Sequence, residues 1–139
     1  MLRIKVLQHI LPIRVYYADT DAGGVVHHTA YIRFFEQART ESLRQEGIEL
    51  HVLFQKYGIM FAIKNIKISY IKPARLDNLL YVKTNVKQIR RASLVYEQSI
   101  YLSELDGGMI CSAEIKLACV NAKMQPCVLP SRLKQMESV

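Results

Sequence analysis

The strongest constraint on the fold of this chain is a single change of hydrophobic period. From His28 to Glu46, residues Tyr31, Phe34, Phe35, Ala38 and Ser42 recur at i, i+3, i+4, i+7 and i+11. That is the broad stripe of one amphipathic helix. From Ile59 onward the period is 2. One substantial helix followed by alternating strands on short connections can be buried only against an antiparallel sheet, so the expected class is α+β.

The strands divide as follows. Ile59, Phe61 and Ile63 alternate, then Ile66, Ile68 and Tyr70 alternate in the opposite phase; the extra residue between them predicts a β-bulge. Pro73 ends this strand. Residues 79–89 form the next, with Leu80, Val82, Thr84 and Val86 on one face. After an IRRAS turn, Leu94, Tyr96, Ile100 and Leu102 share a face. Asp106-Gly107-Gly108 predicts a hairpin turn. The last strand places Met109, Cys111, Ala113, Ile115, Leu117 and Cys119 on one face. Upstream, the β-branched and aromatic run IRVYYAD (13–19) predicts a first strand. Gly47 is expected to stop the long helix, and a short second helix is expected over 51–56.

The chain has 139 residues, which suggests one domain, with a core of about 13–121, an extension 1–12 and an irregular tail 122–139. The opposite sheet face also carries apolar residues: Leu79, Tyr81, Val95, Tyr101, Ile110 and Val120. One helix cannot cover both faces, so a second copy is expected to do so, in a homodimer or homotetramer.

The net charge of +7 favours anionic partners, but the basic residues are dispersed. The densest group is Lys83, Lys87, Arg90 and Arg91, which suits a local phosphate site better than a nucleic-acid groove. The three cysteines, Cys111, Cys119 and Cys127, form no C-x-x-C pair. They read as small buried residues in a reducing compartment. No apolar run is long enough to span a bilayer, and a cytoplasmic protein is the simplest expectation.

The stretch ADTDAGGVVHH (18–28) lies between the first strand and the helix. As a calcium loop it would need an oxygen ligand at Gly23 and a glutamate at Ala30. A D-x-D phosphotransferase needs a doubly wound domain that this strand order does not supply. His27 and His28 are adjacent, and no partner cluster makes them a metal site. A plain reading remains: Asp21 ends the strand and caps the turn into the helix. The chemical alternative uses the same geometry. Unpartnered N–H groups at the helix start can hold an oxyanion. Gly23 and Gly24 let a substrate approach the backbone. A carboxylate just upstream can then act on the same carbonyl.

The stretch RVYYADTDAGGVVHHTAYIRFFEQARTESLR resembles the signature of hotdog-fold acyl-CoA thioesterases. Its nearest likeness is to the 4-hydroxybenzoyl-CoA thioesterase-like family, in the branch of the small bacterial thioesterase associated with the Tol-Pal system. ISYIKPARLDN (68–78), IRRASL (89–94) and the final strand extend the similarity. The resemblance implies an antiparallel sheet wrapped around one long helix, dimers or tetramers, and active sites at subunit interfaces. It implies hydrolysis of acyl-CoA, with acyl carrier protein as a further partner, and no cofactor, since CoA is part of the substrate. It makes Asp21 the catalytic carboxylate and the His28 backbone N–H the oxyanion donor. Gly23, Gly24 and His27 contact substrate, and Arg90, Arg91 and Ser93 meet the nucleotide phosphates. His27 stands where this branch commonly has tyrosine. The rival classes are a non-catalytic acyl-CoA or acyl-carrier-protein scaffold, a nucleic-acid binder and a hotdog dehydratase.

Overall fold

The computed structural model describes residues 8–103 and 108–131. Strand β1 (His9–Arg14) leads through a short 3-10 turn (Tyr17–Asp19) and a loop to helix α1 (His28–Gln45) and helix α2 (Leu50–Tyr57). Strands β2 (Met60–Tyr70), β3 (Leu79–Ile89), β4 (Ser93–Tyr101) and β5 (Met109–Val120) follow. They form one antiparallel sheet in the order β1-β3-β4-β5-β2. Sequence neighbours β3, β4 and β5 are also sheet neighbours, as short connections require. Strand β2 closes one edge by pairing with β5.

Helix α1 lies against the inner face of the sheet. Ala30, Tyr31, Phe34, Phe35 and Ala38 pack into one core with Leu80, Val82, Tyr96, Ile100 and Ile115, all nearly or completely buried. Deleting a fully buried side chain of this size typically costs about 2–5 kcal/mol. The helix stops where Gly47 adopts φ +80°. Gly47 N–H donates to the Arg44 carbonyl and Ile48 N–H to the Leu43 carbonyl, both at 2.9 Å, and Leu43 and Ile48 are both buried. This paired closure needs a left-handed residue, hence glycine.

The bulge in β2 is present as a register shift between Ile63 and Asn65. Two expectations need correction. The first strand is His9–Arg14, not 13–19. Leu11 and Ile13 face inward on β1 while Pro12 sits exposed on this edge strand, where a missing N–H is tolerated. The Tyr17–Asp19 segment turns instead, because the Asp19 carboxylate accepts the Tyr16 N–H at 2.8 Å. Second, a register shift between Ile100 and Tyr101 changes the phase at the start of β5. Ile110 is therefore buried and Met109 exposed. Val120 is buried as well, so of the six apolar residues assigned to the outer face only Leu79, Tyr81, Val95 and Tyr101 stay half-buried there. The chain after β5 has no regular element through Leu129, and it is seated on the core. Cys127 N–H donates to Cys119 O and Leu129 N–H to Arg91 O, both at 2.9 Å, and the Leu129 side chain is buried. Of the predicted hairpin turn, Asp106 and Gly107 lie outside the described residues.

Candidate active site

The Asp/Gly stretch is a miniature hairpin. Thr20 and Val26 pair as an antiparallel bridge, and Val25 pairs with Arg75. Asp21 N–H donates to Val25 O at 2.9 Å, and Gly24 N–H returns to Asp21 O at 3.0 Å. Gly24 takes φ +79° at the turn. Gly23 N–H donates to Asp21 Oδ1 at 2.8 Å, with Val25 N–H more distant at 3.4 Å. One carboxylate oxygen is thereby fixed by the backbone, while Oδ2 has no partner among the described residues. Gly24 has open space where a side chain would stand, and at Gly23 only Asp21 Oδ1 lies near. The whole turn is exposed.

The two aspartates have opposite duties. Asp19 is buried. Its Oδ2 takes the Tyr16 N–H, its Oδ1 pairs with the Arg33 guanidinium, and its carbonyl takes the His27 N–H at 2.8 Å. Asp19 thus ties the 3-10 turn to the helix entry, and Asp21 keeps one carboxylate oxygen without a partner among the described residues. Asp21 does not cap α1. The N-cap is His27, whose Nδ1 accepts the Thr29 N–H at 3.2 Å and lies 2.7 Å from Thr29 Oγ1. The His27 and His28 rings stack with centroids 4.5 Å apart.

His28 opens α1, and its backbone N–H makes no hydrogen bond among the described residues. It is an unsatisfied donor at the positive end of an 18-residue helix, one turn from the glycine hairpin. Beside it is an open depression of about 290 Å³ lined by Val26, His28, Tyr31, Tyr70, Ile71, Lys72 and Pro73. The Tyr70 hydroxyl donates to His28 O at 2.9 Å, and the Tyr31 hydroxyl accepts the Ala74 N–H at 3.0 Å. Burial is the leading cause that raises both phenol pKa values above their ordinary 10.0, so both stay protonated near neutral pH. Sequence reasoning did not single out Tyr70 or Arg33. Tyr70 ends an alternating strand on an exposed edge, a detectable signal; the pairing of Arg33 with Asp19 carries none.

Arg90, Arg91 and Ser93 lie elsewhere. Arg90 N–H donates to Ser93 O at 2.8 Å and closes the β3–β4 turn, with both arginine side chains exposed. The hairpin meets the chain at Arg75, before β3 begins. The eleven residues of β3 span roughly 36 Å at about 3.3 Å each. Within one chain the aspartate and the arginines are therefore at opposite ends of the sheet. Among the described residues no cluster of three or more His, Cys, Asp or Glu could hold a metal ion. No helix there is long and apolar enough to cross a membrane.

Comparison with known proteins gives a consistent result. The sequence profile described as "Thioesterase superfamily" matches residues 23–107. The chain is 42% identical over 124 residues to an acyl-CoA thioesterase, YbgC, of Haemophilus influenzae, covering 88% of this chain and 89% of that protein. A crystal structure of a probable thioesterase from Bartonella henselae superposes with a TM-score of 0.84 at 35% identity, over 89% of this chain and all of that one. The fold is shared with a 4-hydroxybenzoyl-CoA thioesterase crystallised with 4-hydroxybenzoyl-CoA, at TM-score 0.84 and 18% identity, covering 94% of this chain and 99% of that one. The chain belongs to the thioesterase superfamily and is a thioester hydrolase of the hotdog fold.

Proposed function

We propose that the chain hydrolyses acyl-CoA thioesters at the Asp21 hairpin. The observation that carries this reading is the pairing of a backbone-anchored carboxylate, with Oδ2 unengaged, and an unsatisfied His28 N–H at the head of α1. The thioester carbonyl oxygen takes the His28 N–H, which strengthens as negative charge develops on that oxygen. Either the Asp21 carboxylate attacks the carbonyl carbon, CoA leaves as the thiolate and water then hydrolyses the acyl-aspartate anhydride, or Asp21 removes a proton from the water that attacks, and CoA again leaves as the thiolate. Gly23 and Gly24 leave room for the thioester over the turn. Val26, Tyr31, Tyr70 and Ile71 offer an apolar wall for the acyl group, and the exposed His27 flanks it.

A strand length separates Asp21 from Arg90, Arg91 and Ser93, so the reading assigns the two parts of one site to two copies of the chain. The exposed edge strand β2 and the residue after it, with Ile63, Tyr70 and Ile71 about half exposed, offer a surface for that association. Paired arginines suit the nucleotide phosphates of CoA by their forked geometry. Acyl carrier protein is the second carrier this site would accept, its thioester arm being chemically alike. Free thiols at all three cysteines fit the reducing cytoplasm. The chemistry as drawn uses no cofactor.

The test is thiol release from a panel of short, long and aromatic acyl-CoAs by wild type and Asp21→Asn at matched folding. A loss of about 10²–10⁴ in kcat is expected. Equal rates would refute the assignment. Rapid quenching of a single turnover separates the two routes: an acyl group bound to Asp21, or ¹⁸O from labelled water in its carboxylate, identifies the nucleophile, and direct formation of free acid with neither identifies the general base.

A further inference from the structure

The core contains a buried guanidinium with no salt-bridge partner among the described residues. Arg39 projects from α1 and is 7% exposed. Nη1 donates to Gln98 Oε1 at 3.1 Å, and Cζ sits 6.0 Å from the Tyr96 ring centroid. Gln98 is itself fixed, its amide donating to Phe35 O at 3.0 Å and to Thr84 Oγ1 at 2.9 Å, so its carbonyl is held toward Arg39. Among the described residues no carboxylate pairs with Arg39 within 4.0 Å. Nε and Nη2 have no partner there either. They are not sealed in, since His9 Nδ1 is the buried side-chain polar atom that lacks a partner among those residues. They reach open space.

That space is a cavity of about 140 Å³ between the second half of α1, Leu50 of α2 and the inner face of the sheet. Its walls include Leu43, Phe61, Leu94 and Leu117; Glu36, Thr40 and the half-exposed Ile63 also line it. A buried charge is costly unless paired, and a cavity close to 150 Å³ holds a molecule the size of benzene. Glu36 is exposed and influences Arg39 through space without contacting it.

We propose that this cavity binds a small organic carboxylate, with an apolar body of about six carbons against Leu43, Phe61, Leu94 and Leu117 and its carboxylate on the Arg39 guanidinium. Gln98 is the positioning residue. The carboxylate is that of a free acid. Binding of the free acid does not depend on the assignment of Asp21.

Equilibrium dialysis of the full chain with radiolabelled benzoate and hexanoate tests this. One site per chain is expected, weakened at least tenfold by Arg39→Met, partly retained by Arg39→Lys and tightened a few-fold by Glu36→Gln, which removes the competing negative charge. Ile63→Trp, at the half-exposed wall, should block binding with Arg39 intact, which covers the case of an unfolded Arg39→Met. Absence of binding to wild type overturns the proposal. So does binding unchanged in both Arg39→Met and Ile63→Trp, or in Ile63→Trp where Arg39→Met does not fold.

Discussion

Replacing Gly23 by alanine should injure turnover without injuring the fold. Gly23 does not have a left-handed backbone, so alanine can take its conformation, and the change itself should be neutral or stabilising by about 0.4–1 kcal/mol. The new Cβ would meet one atom, Asp21 Oδ1, at 3.2 Å. Relief of that contact moves the carboxylate by a few tenths of an ångström and loosens the Gly23 N–H bond that aims it. A displacement of about 1 Å can cost about 10²-fold in rate, so a loss of roughly 3- to 30-fold in kcat is expected. Gly24→Ala is the control. Its φ of +79° makes any L-residue strained, but nothing lies within 4 Å of the added carbon. It should lose about 1–2 kcal/mol of stability, raise KM through the methyl on the face left open for the thioester, and lower kcat less than Gly23→Ala. Thermal unfolding and saturating thiol-release rates read the two effects separately. Full kcat in Gly23→Ala, with Asp21→Asn inactive, would refute the claim that this contact aims the carboxylate.

Leu129→Ala should cost about 2–4 kcal/mol in chemical denaturation, because Leu129 is buried. It should also raise KM for acyl-CoA more than it lowers kcat, since Leu129 N–H holds the Arg91 carbonyl; an unchanged KM would disconnect the tail from the arginine turn. Alkali should destabilise the fold. Burial pushes the Cys111 and Cys119 thiols from 9.0, and the Tyr96 phenol from 10.0, up to about 12. The unfolded chain gives up these protons first, so this stability is intact below about pH 9 and is lost as pH rises toward 12. Urea midpoints at pH 8, 9.5 and 11 should fall in that order, and Cys111→Ala should flatten the fall; a midpoint that rises would contradict the sign.

The parts of the fold that were legible in the sequence are those where one residue's environment repeats. The stripe through Tyr31, Phe34, Phe35 and Ala38 located α1 to within a residue, and the reversal of phase between Ile63 and Ile66 located the bulge. Residues 13–19 misled because β-branched and aromatic side chains suit a strand, while Asp19 bends the chain through bonds to Tyr16 and Arg33 that no local pattern encodes. Ile110 was put on the wrong face for a similar reason: a shift of one residue in β-pairing exchanges inside for outside. At the candidate site, the acidic turn and the helix head were visible as a motif. The division of labour between Asp19 and Asp21 was not, because it depends on which carboxylate the folded chain buries. The cap at His27 was missed since histidine is not a usual capping residue.

β3 keeps the Arg90–Ser93 turn a full strand away from Asp21, so under the two-copy reading each chain carries two half-sites that belong to different catalytic units. Defects in the two halves should then behave as separate complementation groups. Asp21→Asn chains and Arg90→Ala/Arg91→Ala chains, each deficient alone, should rescue one another when mixed and allowed to exchange subunits. Each mixed pair assembles one intact unit and one doubly defective unit. Random exchange of equal amounts should return about a quarter of the wild-type units in a two-fold dimer. Dilution below the dissociation constant should extinguish turnover in wild type, although every residue of the site is still present in every molecule.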